Sequence, residues 1–254
     1  MVEKHNAIRQ KIQHSNFANQ LSFQLQPIYA LNSQRISHVE ILARWFTQDL
    51  GLISPEIFIP IAEQVGVLHL VGQKMLTTVC DLIKNEKKII NSKVKFNINI
   101  SPSELTFANY DYWKGKLLSG NFIEQINLEL TEQTNLVNSS SNTIEVINMF
   151  QKLGLALCID DFGSGYSGFH YLRLLDADYI KLDRHLIEDI TIKEKDKKLI
   201  KTIITLAHDL NLQVVAEGVE CKSQYQTLKE LDCDFVQGYY MCRPLDISNL
   251  LKLF

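Results

Sequence analysis

Short stretches of alternating apolar and polar residues recur along this chain. Between them lie longer stretches whose apolar positions fall three and four residues apart. The first pattern is the period of a half-buried strand, the second that of an amphipathic helix. Strands are predicted at Ser22 to Gln26, closed by Pro27, and at His38 to Trp45, Lys93 to Ile100 and Ile126 to Glu132. Four more follow at Leu155 to Asp160, Tyr179 to Asp183, Gln213 to Glu220 and Phe235 to Tyr240. Helices are predicted between them. One opens at Ser54-Pro55-Glu56, with proline at its first position, and runs to Gly66. Others cover Leu68 to Asn85, segments reaching Gly120, and a stretch from the polar loop Asn138–Asn142 to Gly154. The last cover Lys195 to Leu210, Gln224 to Leu231 and Ile247 to Leu253. About eight strands alternating with helices predict an α/β fold, a single (β/α)8 barrel of TIM type over residues 21–254. An open doubly wound sheet is the alternative. Residues 1–20, with Ile8, Ile12 and Phe17 spaced along them, read as a short amphipathic helix or a loose arm.

The strand ends carry the chemistry. Glu40, Asn99, Glu129, Asp160 with Asp161, Lys181, Glu217 and Gln237 each lie at or near the C-terminal end of a different predicted strand. In a barrel those ends share one face, where active sites are assembled from several strands. An isolated strand-end glutamate is usually solvated; a polar residue on one strand after another is not expected of a plain barrel. Neighbouring Asp160 and Asp161 repel each other unless something positive sits between them. Carboxylates with an amide and without histidine suit a hard cation, Mg²⁺ or Mn²⁺, better than zinc. A pair of such ions with a lysine is the equipment for phosphodiester hydrolysis, and Arg44 adds a bidentate phosphate contact. In the plainer reading, Arg44 and Lys181 are only salt-bridge partners of the acids.

The loop after Asp161 offers a different reading. Gly163-Ser164-Gly165-Tyr166-Ser167-Gly168 fits the dinucleotide fingerprint, and Asp183 falls about 20 residues on, where a ribose-binding acid would sit. Two aspartates just before the loop would repel a pyrophosphate, and the segment from Gly168 to Tyr179 is short for a full crossover helix. The metal reading is preferred. A net charge of −3 gives no general pull toward duplex nucleic acid or anionic membrane. The lysine runs at 84–88 and 193–201 are interleaved with acids, as on solvated helix faces. Cys80, Cys158, Cys221, Cys233 and Cys242 are scattered without paired spacing, which suits a reducing compartment. No apolar run approaches the about 20 residues of a membrane span, and the N-terminus lacks a signal peptide's apolar core. A cytoplasmic location is the expectation.

The same residues carry a family resemblance, from Phe23 to Pro244. Glu40-Ile41-Leu42-Ala43-Arg44-Trp45, Asn99-Ile100-Ser101, Leu128-Glu129-Leu130-Thr131-Glu132 and the stretch from Asp160 to Ser167 resemble, in order, the motifs of the EAL-domain cyclic di-GMP phosphodiesterases. Lys181-Leu182-Asp183-Arg184, Ala216-Glu217-Gly218-Val219-Glu220, Gln237-Gly238-Tyr239 and Arg243-Pro244 continue the match. The resemblance implies a barrel with one strand reversed, hydrolysis of cyclic di-GMP to linear pGpG, and a homodimer. It implies Glu40, Asn99, Glu129 and Asp160 as ligands of one metal, and Asp160, Asp161 and Glu217 as ligands of a second. Lys181 would hold the attacking water, with Glu217 helping to deprotonate it. Gln26, Leu42 and Arg44 match substrate contacts, and Gln237 a residue near the metals. Glu132 resembles the glutamate that fastens the loop Phe162 to Phe169, Glu220 a supporting acid, and Asp183 an acid beside the loop. Ile41 replaces the signature alanine, Ser164 and Gly168 replace the usual threonine and serine, and Cys221 replaces a common threonine. Some members have lost catalysis and act as cyclic di-GMP receptors or as partners of regulatory proteins. They usually lack metal ligands, and this chain keeps the full set.

Overall fold

The computed structural model describes residues 2–13, 16–131, 141–164 and 168–254. Helix α1 (Val2–Gln13) precedes a long antiparallel hairpin of β1 (Leu21–Ala30) and β2 (Ile36–Thr47), and β3 (Gly51–Ile53) adds to the outer half of β2. Helices α2 (Pro55–Gln64), α3 (Leu68–Asn85) and α4 (Lys87–Ser92) lead to β4 (Lys95–Asn99). Then α5 (Phe107–Leu118) leads to β5 (Ile126–Thr131), α6 (Ser141–Leu153) to β6 (Ala156–Phe162), and α7 (Gly168–Leu174) to β7 (Tyr179–Leu182). Helices α8 (Arg184–Ile187) and α9 (Glu194–Asp209) precede β8 (Gln213–Ala216), α10 (Lys222–Glu230) precedes β9 (Phe235–Val236), and α11 (Ile247–Leu250) follows.

Strands β2, β4, β5, β6, β7, β8 and β9 pair in that order and in parallel. Strand β1 pairs antiparallel with both β9 and β2 and closes the sheet into a barrel. Closure excludes the open doubly wound alternative. The reversal of β1 has a simple cause: the link from Leu31 to Arg35 is too short for a parallel crossover, which takes a dozen residues or more.

Several element boundaries differ from expectation. Pro27 does not end β1; the strand continues to Ala30, and Pro27 faces Val39 across the hairpin. On its other side β1 pairs with β9 only at Tyr29 and Ala30, so the missing N–H of Pro27 interrupts no ladder there. Strand β9 is cut to two residues, because the backbone of Gly238 presses onto Val219, leaving no room for a Cβ. Helix α4 and strand β3 have no counterpart in the periodicity reading.

Apolar residues divide between two cores. The larger lies between barrel and helices, where α3 buries Leu68, Val71, Met75, Leu76 and Val79 at helical spacing. It also holds Phe17, Trp45 and Phe58, packed edge to face, and Ile8 and Ile12 of α1. The smaller cluster joins Ile28, Cys158, Tyr179, Val215 and Phe235 inside the barrel. His38 packs edge-on to Tyr179 and Phe235 in this floor, with ring centroids at 5.2 and 5.0 Å.

Candidate functional site

The barrel floor sets the site by strand periodicity. Side chains two residues apart on a strand share a face. His38, Cys158, Tyr179, Val215 and Phe235 therefore place Glu40, Asp160, Lys181, Glu217 and Gln237 one layer above them. On the reversed strand the order inverts, and Ile28 places Gln26. Asn97 and Asn127 stand in the layer below Asn99 and Glu129. Glu40 is not at the end of its strand: β2 runs on to Thr47, but its pairing with β4 stops at Glu40, so Glu40 marks where the barrel ends.

Asp160 and Asp161 are adjacent, and an unbroken strand would send them to opposite faces. The register between β6 and β7 shifts between Ile159 and Phe162, and Asp161 adopts φ 55°. This bulge turns both carboxylates toward the mouth. Carboxylate oxygens of Asp160, Asp161 and Glu217 lie within 4.8 Å of one another, as do those of Glu40, Glu129 and Asp160. Asp160 belongs to both groups.

Lys181 stands at the centre and is fully buried. Its Nζ lies 2.7 Å from Glu217 Oε1, 3.0 Å from Asp160 Oδ1, 3.3 Å from Glu129 Oε2 and 3.4 Å from Glu40 Oε2. Burial alone would lower its pKa; Asp160, Glu129, Glu217 and Glu40 outweigh that and raise it well above the usual lysine value. Glu40 is buried too, yet Lys181 and hydrogen bonds from Gln237 and Asn99 hold its pKa below the ordinary range. Gln237 Nε2 donates to Glu40 Oε2 at 2.7 Å, and Asn99 Nδ2 to Glu40 Oε1 at 3.1 Å. Burial pushes Glu129 well up, helped by repulsion from Glu40, Asp160 and Glu217. Burial also lifts Glu217 to about 8, and burial with Asp160 lifts Asp161 to about 6. One lysine does not neutralise this many carboxylates, and the oxygen-rich set fits divalent cations of the Mg²⁺ or Mn²⁺ kind.

The other predicted residues separate. Gln26 lines the same cavity, of about 330 Å³, and donates from Nε2 to the carbonyl of Cys242 at 3.3 Å. Leu42 and Arg44 line a neighbouring cavity of about 480 Å³, whose wall includes Asn99. Arg44 forms no salt bridge to the acids among the described residues: its Nε donates to Gln24 Oε1 at 2.7 Å and its Nη1 to the Ala43 carbonyl at 2.9 Å. Lys181, in contrast, is the salt-bridge partner that the plainer reading expected. Asp183 caps α8, accepting from the His185 amide at 2.7 Å. Glu220 is exposed at the cavity rim. Glu132 lies outside the described residues, as do Gly165 to Ser167 of the glycine loop.

Sequence reading passed over the support of Glu129. Asn97 Nδ2 donates to Glu129 Oε1 at 2.8 Å, and Asn127 Nδ2 donates to Asn97 Oδ1 at 3.0 Å. The signal was present, because Asn97 precedes Asn99 by two residues and Asn127 precedes Glu129 by two. It also passed over Glu104, a buried acid in the wall of the second cavity.

Comparison with known proteins agrees with this architecture. Residues 6–244 match the family model described as EAL domain. Over 237 residues, covering 91% of this chain and 30% of the relative, the sequence is 35% identical to "Cyclic di-GMP phosphodiesterase NbdA" of Pseudomonas aeruginosa. The chain spans about a third of the length of the first curated relatives it matches. The fold superposes on "Structure of EAL Enzyme Bd1971 - cAMP and cyclic-di-GMP bound form" with TM-score 0.86 and 30% identity, covering 99% of this chain and 68% of that one. It superposes on "PaMucR Phosphodiesterase, c-di-GMP complex" with TM-score 0.85 and 28% identity, covering 96% and 99%. A barrel closed by one reversed strand, with its acids gathered around a buried lysine at the mouth, and a family match over nearly its whole length place this chain in the EAL-domain family.

Proposed function

We propose that this chain hydrolyses cyclic di-GMP to linear pGpG with the help of two divalent cations. The observation that carries the reading is the pair of carboxylate groups that share Asp160, bound together by Lys181. Glu40, Asn99, Glu129 and Asp160 would hold one ion, and Asp160, Asp161 and Glu217 the other. Bound there, Mg²⁺ or Mn²⁺ ions supply Lewis acidity toward phosphodiester oxygens and ease the deprotonation of water. Lys181, held protonated, donates from Nζ to the attacking water and orients it. The Glu217 carboxylate takes up the water's proton. The water oxygen joins phosphorus, the bond from phosphorus to O3′ breaks, and O3′ takes up a proton from solvent, to which Glu217 releases the one it accepted. Arg44, Gln26, Leu42 and Gln237 position the substrate, and Glu132, Asp183 and Glu220 support the adjoining loops.

The same reading makes the active unit a cytoplasmic homodimer open to an unidentified regulatory protein. Among the described residues no helix is long and apolar enough to cross a membrane. The deciding experiment incubates the purified chain and cyclic di-GMP with Mg²⁺ or Mn²⁺, and separately with a chelator. Cation-dependent appearance of pGpG is expected. Tight binding without turnover would replace the enzyme with a receptor.

A further inference from the structure

Below the carboxylate cluster, a file of amides zigzags between β5 and β4 inside the barrel. Asn127 and Asn97 are register partners in that parallel pair, and Asn99 and Glu129 are partners one layer higher. Asn127, Asn97 and Glu129 are 2%, 3% and 0% exposed. Asn127 Nδ2 donates to Asn97 Oδ1 at 3.0 Å, and Asn97 Nδ2 donates to Glu129 Oε1 at 2.8 Å. The direction of the file follows from its upper end. As a cation ligand Glu129 is ionised and can only accept, so Asn97 must turn its NH₂ toward it. The Asn97 oxygen then points back, and Asn127 supplies the N–H that this buried oxygen needs.

The two oxygens of Glu129 therefore have different surroundings. Oε2 faces the cluster, 3.3 Å from Lys181 Nζ, while Oε1 is taken by Asn97. Glu129 has no solvent exposure, so no bulk water stands ready to take the place of Asn97. A carboxylate held in this way offers one oxygen to a cation. That suits Mg²⁺, which demands a small octahedral set of ligands. Ca²⁺ is larger, takes more oxygens at longer distance and often draws both from one carboxylate. Groups that hold a ligand from behind fix its orientation and so tune the ion it accepts.

Resting on the two-cation reading, we infer that Asn97 is a positioning residue: it restricts Glu129 to a single ligand oxygen and so shifts the site from Ca²⁺ toward Mg²⁺. Asn127 fixes the orientation of the Asn97 amide. Both residues lie below the acids and act through Glu129.

The test titrates Mg²⁺ and, separately, Ca²⁺ into the full chain by calorimetry, without substrate, for the wild type, Asn97→Leu and Asn127→Leu. Leucine at 97 keeps a branched side chain but donates nothing, which frees Oε1. Affinity for Mg²⁺ is then expected to fall about 10- to 100-fold, the usual loss when the group behind a metal ligand is removed. Affinity for Ca²⁺ should fall much less, because the freed oxygen can join it, so the ratio of Mg²⁺ to Ca²⁺ affinity drops about tenfold or more. Asn127→Leu leaves Asn97 in place and should move the ratio the same way by about 2- to 10-fold, the share of one neutral hydrogen bond. Urea denaturation in chelator checks that each variant folds, and Asn127→Leu carries the test where Asn97→Leu does not. If the wild type binds Mg²⁺ and the folded variants keep its ratio, through unchanged or equally weakened binding, Asn97 does not position Glu129 for the ion. If the wild type binds neither ion, the two-cation reading itself is overturned.

Discussion

A residue's surroundings set its proton affinity, and Glu104 and His38 show this in opposite senses. Burial raises Glu104 from 4.5 to about 8 and lowers His38 from 6.5 to about 4, the latter with help from Lys95. The folded chain thus holds the Glu104 proton more tightly than the unfolded chain does. That advantage is complete below pH 4.5 and is lost as pH rises through about 8. His38 contributes stability that is complete above pH 6.5 and lost as pH falls through about 4. Between pH 6.5 and about 8 only the Glu104 share of these two changes. Over that window the wild type is expected to lose about 1–2 kcal/mol relative to Glu104→Gln. Urea denaturation of both proteins at the two ends of the window measures it. Parallel pH slopes would mean that Glu104 is not buried as a neutral acid.

At the scale of one element, strand β6 carries the most consequential irregularity. Its bulge brings two adjacent carboxylates to one face and requires Asp161 at φ 55°, a region that costs an ordinary L-residue roughly 1–2 kcal/mol. Aspartate and asparagine tolerate that region better than β-branched residues do. Asp161→Asn is therefore expected to fold with nearly wild-type stability while binding Mn²⁺ more weakly, as calorimetric titration would register. Asp161→Val should lose both the cation and about 1–2 kcal/mol of stability. Equal stability of the two variants would show that the bulge does not depend on the residue at its turn.

At the scale of the molecule, Lys181 ties β7 to β2, β5 and β6 and to Glu217 just past β8, across the interior of a closed sheet. Lys181→Met leaves those carboxylates facing one another. Breaking such a buried network costs about 3–5 kcal/mol, so denaturation in chelator should reveal a weakened barrel. Added Mg²⁺ should restore much of that stability, since cations replace the missing charge, and ligand binding to the folded state alone is stabilising. Turnover should stay reduced by about 100- to 10,000-fold, the share of a positioned proton donor. A variant as stable as wild type in chelator would contradict the central place given to the lysine.

Much of the site was legible because strand periodicity is local. Glu40, Glu129, Asp160, Lys181, Glu217 and Gln237 each stand two residues beyond a residue of the barrel interior, and a repeat of two needs no knowledge of the fold. The ordered motifs, from Glu40 to Arg243, identified the family for the same reason. The reversal of β1 came only with the family resemblance; the link is too short for a crossover because β1 continues past Pro27 to Ala30, which the structure shows. Other features depend on contacts between distant segments. Pro27 is tolerated within β1 because β9 stops short beside it, and β9 stops because Gly238 meets Val219. The bulge at Asp161 arises from the register with β7. Glu104 stands in a cavity wall because α3 presents Gly72 to it from more than thirty residues earlier. The sequence by itself determined which residue types alternate, and so which could share a face. Only the tertiary structure decided which faces meet, because distances between strands follow from pairing and closure, to which no single segment's periodicity extends.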